Sequence, residues 1–324
     1  MSANVETMFS VKQTPWHKLG RVIPARLTPE ESLREAGMDW LVAKRPIYID
    51  GTNEGEVDEV PSYFATVRTD KNHVLGVVGS QFEPVQNHEA IEFFNTITGE
   101  SKAIMETAGV LAEGRKVWWL AKLPGEIRVV GDDITEKYFL FANGHDGLFN
   151  LALGFTPIRV VCQNTLNAAL RNGSNWVRLR HTQGIRSNLE TAANVIKAGV
   201  DYFTATGEAF QAMAKKELRK ANVEGYFRRV YERPAELDTV KGRWNHLDTL
   251  TSMFETGRGN DMAGVRGTLW AAYNAVTQFE DYDRETRKET NRLERNWFGA
   301  GAALKAQAFS VAQRILVDGE AALN

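Results

Sequence analysis

The sequence predicts an α+β protein: a mostly antiparallel sheet with a β-β-β-α core, followed by a helical C-terminal region. Three observations predict it. Short apolar or β-branched runs follow one another from residue 41 to about residue 180, divided by Gly, Asn and Asp turns. A helical pattern near Asn87 interrupts them once. From Arg186 onward the apolar spacing turns helical, and strand patterns give out. Such closely spaced strands suit hairpins and meanders rather than the long crossovers of a parallel sheet. The expected division is an N-terminal arm with a short helix over 1–40, an α+β domain over 41–185 and a helical region over 186–324.

In chain order, residues 1–40 read as polar and irregular. Within them Thr28-Pro29-Glu30-Glu31 predicts a helix start: a capping hydroxyl, proline at the first helical position and carboxylates against the helix dipole. That helix should stop at Gly37. Strands are predicted over Leu41–Ile49, Tyr63–Thr69 and Val74–Gly79, then a helix from Asn87 with Ala90, Ile91, Phe93, Phe94 and Ile97 on its apolar face. Lys116–Leu123, Tyr138–Asn143 and Phe149–Phe155 continue as strands. Pro157 is read as introducing a helix over Val160–Leu170, and Asn175–Arg180 as one more strand. Leu189 to Lys216, Gly264–Tyr282 and Leu293–Leu316 carry helical spacing, with shorter helices over 217–260.

Composition narrows the function. The chain has 324 residues and a net charge of −2, which argues against a sequence-blind polybasic DNA coat but not against a local basic surface. A single cysteine, Cys162, permits neither an intrachain disulfide nor a cysteine zinc cluster, and among valines it reads as a small buried hydrophobe. The N-terminus lacks the apolar core of a signal peptide and no run is long enough to span a membrane, so a cytoplasmic setting is expected. There is no GxSxG, P-loop or GxGxxG element, and the six histidines form neither HxH nor HExxH. No cofactor and no metal are expected.

The chemistry concentrates between Gly147 and Leu189, a stretch with Arg159, Arg171, Arg178, Arg180 and Arg186 and no Asp or Glu. On the predicted strand Trp176, Arg178 and Arg180 share a face, and Asn164, Thr182 and neighbouring amides add neutral donors. Guanidinium groups beside an aromatic ring suit a phosphate backbone with a stacked base. Lys116 and Trp118 share a face of another strand and Trp119 the opposite one, so one of the two tryptophans should be core. The competing expectation is that the arginines are neutralised by Glu106, Glu113 or Asp132-Asp133.

Just upstream, Asn143-Gly144-His145-Asp146-Gly147 reads as a hairpin turn, with Asp-Gly supplying a positive φ. It also frames an alternative: a hydrolase or nuclease using His145, Asp146 and His181 as catalytic or metal-binding groups. The alternating charges of Asp281–Arg295 read as a solvated helical face or an oligomer contact.

Several segments together resemble one family: TPWHKLG, AGMDW, LGVVGSQFEPVQN, ETAGVLAEGRKVWWLAKL, NGHDG, TPIRVVCQNTL, Val177–Thr182 and LWAAYNAVTQFEDY. They are similar to the phage- and plasmid-borne DUF932 proteins over nearly the whole chain. The resemblance implies a mobile-element protein acting in the bacterial cytoplasm, and no catalytic activity. The β-β-β-α order with a later basic segment also resembles the core of Rad52-type single-strand annealing proteins at the level of topology.

These readings converge on a nucleic-acid partner, single-stranded DNA, held in a basic groove with possible strand annealing. Lys116, Arg159, Arg178, Arg180 and Arg186 would meet phosphates. Trp176 would stack, and Asn143, His145, Asn164 and Thr182 would donate hydrogen bonds. A homo-oligomer is expected, and a phage protein that binds a host protein is the third alternative.

Overall fold

The structure, a computed structural model, describes residues 5–11, 20–23, 27–53, 55–100, 103–159, 164–165, 176–187, 199–238, 244–285 and 292–323. The α+β class is as the sequence predicts. Of the helix expected over 160–170 only Asn164–Thr165 is described, and it pairs as a strand with Ile158–Arg159, which corrects the helix there; Cys162 and Arg171 lie outside the described residues.

Strands β3 (Val42–Asp50), β4 (Val57–Arg68) and β5 (His73–Gly79) form an antiparallel three-stranded sheet, and α2 (Asn87–Glu100) follows it. This is the β-β-β-α core read from the sequence. The predicted short helix is α1 (Pro29–Glu35). The Thr28 hydroxyl accepts from the Glu31 amide, and the Glu31 carboxylate accepts in return from the Thr28 amide.

The second sheet holds β1 (Val5–Val11), β2 (Arg21–Ile23), β6 (Ile104–Leu111), β7 (Lys116–Val130), β8 (Asp133–Gly144), β9 (Leu151–Arg159), β10 (Asn164–Thr165) and β11 (Trp176–Leu179). Its order is β10-β9-β8-β7-β6-β1-β2, with β11 also pairing β9. β1 and β2 run parallel, so this sheet is mixed.

Three expectations change here. The N-terminal arm is not irregular: β1 lies inside the sheet between β6 and β2, with Phe9 fully buried. Its polar residues hid it, and Glu6 is satisfied by distant partners, Arg68 at 2.6 Å and Lys71. β7 runs on past Pro124 because Gly125 takes φ +76°, a conformation open to glycine, within the strand. Pro157 lies inside β9 instead of opening a helix. It falls between the residues paired with β11 (Leu151–Gly154) and those paired with β10 (Ile158–Arg159), where a missing N–H breaks no bond to either strand.

The chain divides into two compact units built from interleaved segments. One comprises 1–124, 139–154 and 176–197; the other 125–138, 155–175 and 198–324. In the first, Trp118 and Trp119 point to opposite faces of β7, yet both are 0 % exposed, so both faces are covered there and the expected single core tryptophan is corrected to two. Phe94 of α2 stacks on Phe139 at 5.7 Å, and Trp119 meets Phe141 edge-on.

The second unit carries helices α3 (Gly199–Lys215), α4 (Lys220–Val230), α5 (His246–Thr256), α6 (Leu269–Gln278), α7 (Arg292–Trp297) and α8 (Ala300–Asp318). α6 is apolar nearly all round and buried throughout its first nine residues, with Thr268 capping it through the Ala271 amide. The Trp270 indole donates to the fully buried Asp133 carboxylate at 2.7 Å. The start of the 281–295 charge run is likewise no solvated face. Glu280 and Asp281 are buried in a π-helical turn (Phe279–Asp283), paired with Arg284 and Arg295 and with Lys305 respectively.

Candidate nucleic-acid interface

The Asn143–Gly147 segment ends β8 and turns the chain as expected. Gly147 takes φ +77°, and the Asp146 carboxylate caps the turn by accepting from the amides of Leu148 and Phe149 at 2.9 and 3.1 Å. β5 presses on it so closely that a Cβ at Gly76 would fall on the Asp146 carbonyl.

Several of the segments that carried the family resemblance meet at His145. Its amide donates to the Arg115 carbonyl at 2.8 Å, and Trp40 meets its ring edge-on at 5.4 Å. Its Nε2 lies 3.0 Å from Asn87 Oδ1. Asn87 spends its own amide hydrogens on the Met38 carbonyl, 2.9 Å away, so its oxygen must accept and His145 carries its proton on Nε2. The Asn143 amide donates to the Val85 carbonyl at 2.9 Å. Arg68 stacks on Trp40 at 4.4 Å and is held by Asp70 and Glu6.

Burial pushes His145 down to about 3, with the nearby His181 ring and the Arg68 charge adding to it. Burial likewise lowers His181 to about 4. The carbonyls of Glu83 and Phe149 and the Asp146 carboxylate pull the other way and do not prevail. Among the described residues neither ring nitrogen of His181 makes a well-formed hydrogen bond, and His145 Nδ1 and Asn143 Oδ1 have no partner.

The quartet of Asn143, His145, Asp146 and His181 therefore does assemble, but none of the four is more than 8 % exposed. Two neutral imidazoles in a sealed core cannot meet a polymer or a solvent-borne substrate. Among the described residues no group of three His, Cys, Asp or Glu is arranged to hold a metal ion. Asn143 and His145 accordingly lose their expected role as direct donors to nucleic acid, and become the foundation of the turn above them.

The exposed chemistry lies at the sheet edge. β11 pairs antiparallel with β9, setting Trp176 opposite Gly154 and Arg178 opposite Ala152. Small residues beside them leave the larger side chains room. Past Leu179, opposite Leu151, the chain returns alongside the 146–150 turn as Arg180, His181 and Thr182. Arg178, Arg180 and Thr182 are exposed, and neither arginine has an ion-pair partner among the described residues. The acids expected to neutralise them are occupied: Glu113 faces His73, Asp132 faces Arg128 and Asp133 holds Trp270.

Other expected contacts stand differently. Lys116 is half-buried with its ammonium 5.0 Å from the Phe149 ring centre. Arg186 is exposed but tied to Glu89 at 2.9 Å. Arg159 and Asn164 stand on β9 and β10 in the other unit, and their side chains lie outside the described residues. Sequence reasoning missed two residues at this edge. Arg115 is exposed and without an ion pair among the described residues, and Leu148 is 91 % exposed at the tip of the turn. Arg115 could have been found as the cation preceding Lys116; Leu148 gave no signal.

A family model described as "Domain of unknown function (DUF932)" matches residues 74–297, well over half the chain. The chain belongs to the DUF932 family. The matched stretch contains the Asn143–Gly147 turn and β11, so the edge described above lies within the DUF932 region. No curated protein and no solved structure matches this DUF932 chain. The topological likeness to Rad52-type proteins is thus without support and is withdrawn.

Proposed function

We propose that this DUF932 protein is a nucleic-acid-associated protein of a mobile element that binds single-stranded DNA along the β11 edge. One observation carries this reading. Arg178 on the edge strand β11 and Arg180 just past its end are exposed without a carboxylate partner among the described residues. Many other arginines of the chain are engaged, including Arg21, Arg68, Arg128, Arg186, Arg228, Arg284 and Arg295. Guanidinium groups held apart from internal acids keep their full field for a phosphate backbone. Arg115 and Lys116, beside the turn that Arg180 and Thr182 flank, extend the positive edge. The half-buried Trp176 shares the face of Arg178 and offers a stacking surface.

The test is fluorescence anisotropy of labelled oligo-dT against Arg178→Ala/Arg180→Ala over a salt series. Each phosphate contact on a single strand contributes about 0.7 to the log–log salt slope, so the double variant should lose about 1.4 along with affinity. Unchanged affinity and slope would refute the assignment.

A further inference from the structure

The second compact unit contains a cavity that the nucleic-acid edge does not use. It is a half-open cleft of about 770 Å³, within the range of small-molecule sites. Four of its lining residues are arginines: Arg228 and Arg229 in the last turn of α4, Arg233 in the turn that follows, and Arg314 of α8. The placement is not incidental to the helix. Cations at a helix C-terminus are favoured by its dipole, so α4 stabilises two of them in the same place.

The four differ in how they are neutralised. Asp238 bridges the first pair, at 2.7 Å from Arg228 and 3.4 Å from Arg233, and Glu224 takes the Arg228 Nε at 2.7 Å. Hydrogen bonding to Asp238 is the leading reason that Arg228 holds its proton more tightly than usual. Arg229 and Arg314 have no ion pair among the described residues, and the Arg314 Nε is buried without a hydrogen-bond partner. A guanidinium with an unmade donor and no internal carboxylate keeps its charge for an anion that enters the cleft its side chain lines. Pro234 and Leu323 give the same cavity apolar wall, and its volume far exceeds what a bare phosphate needs.

We propose that this cavity binds a small organic phosphate, with Arg229 and Arg314 clasping the phosphate and the apolar wall receiving the organic part. A phosphomonoester carries close to two negative charges at neutral pH, matching the two guanidiniums without an ion pair among the described residues, while Glu232 and Glu236 on the same lining disfavour a more highly charged anion. The fixed fork of arginine suits its oxygens.

The test is isothermal titration of the full chain with AMP and with glycerol 2-phosphate, using adenosine and citrate as controls. Saturable binding of the phosphates, without adenosine or citrate, is expected. Arg314→Gln and Arg229→Gln should each weaken it about 10- to 100-fold, the range for a charge-assisted hydrogen bond. Arg229 is exposed, so its variant keeps the test valid should Arg314→Gln fail to fold. Arg178→Ala/Arg180→Ala should bind the phosphates unchanged, which separates this site from the DNA edge. No saturable phosphate binding, citrate binding as tightly as AMP, or full affinity in the Arg229→Gln variant would overturn the proposal.

Discussion

At the scale of single residues, the two imidazoles beside the Asn143–Gly147 turn make the stability of the fold depend on pH. Both have folded values below the ordinary 6.5, at about 3 for His145 and about 4 for His181. The unfolded chain therefore takes up protons first as pH falls. The stability they confer is complete above the unfolded value of about 6.5, and it drains away as pH drops toward 4 and then 3. Between pH 7 and pH 5 each should cost about 2 kcal/mol. The depressed carboxylates Asp70 and Asp238 start from 3.8 and act lower, which leaves that window to the histidines. His181→Gln, measured by urea unfolding at both pH values, should reduce the pH-dependent loss by about 2 kcal/mol, whatever it does to stability at pH 7. An unchanged pH dependence would mean that His181 is protonated in the folded core.

At the scale of elements, what could be read in advance followed how local the determining physics is. The Thr28 cap, the β3-β4-β5-α2 succession and the C-terminal helices depend on neighbours within a few residues and were legible. β1 was not, because Glu6 is tolerated in it only through Arg68 and Lys71, more than sixty positions away. The candidate site was legible in the same uneven way: alternation along the predicted strand picked out Arg178 and Arg180, which are both exposed, although β11 itself ends at Leu179. The burial of His145 depends on Asn87, Trp40 and Arg115, which only the fold brings together. The same non-local logic governs the charged stretch at 280–295. Lys305 of α8 and Asp281 are each 1 % exposed and 2.7 Å apart. Removing one member leaves a buried charge without this ion pair, so Lys305→Met should cost about 3–5 kcal/mol, read from chemical denaturation. Asp281→Leu combined with Lys305→Met should recover much of that loss. If the single variant is as stable as the parent, the pair is not holding α8 to the π-helical turn.

At the scale of the whole molecule, division at residue 185 follows the change of pattern in the sequence, whereas the compact units trade segments across it. A fragment of residues 1–185 would keep nearly all of the first unit. It would also carry 125–138 and 155–159 without the helices they pack on. Ile127 and Phe155 are buried, the first beneath Gly207 and the second against Tyr202 and Phe203 at 5.9 and 5.4 Å. Asp133 would lose the Trp270 indole, and the Arg128 carbonyl would lose the Gln211 amide. Each stranded aromatic or aliphatic side chain forfeits about 1.5–3 kcal/mol of burial, and a domain's whole margin is about 5–15 kcal/mol. The fragment should therefore aggregate or lack a cooperative melt, even though it contains the entire β11 edge. Size-exclusion chromatography and thermal unfolding by near-UV circular dichroism decide this. A soluble, cooperatively melting fragment that still binds oligo-dT would show that the first unit folds by itself and that the helical region is dispensable to the edge.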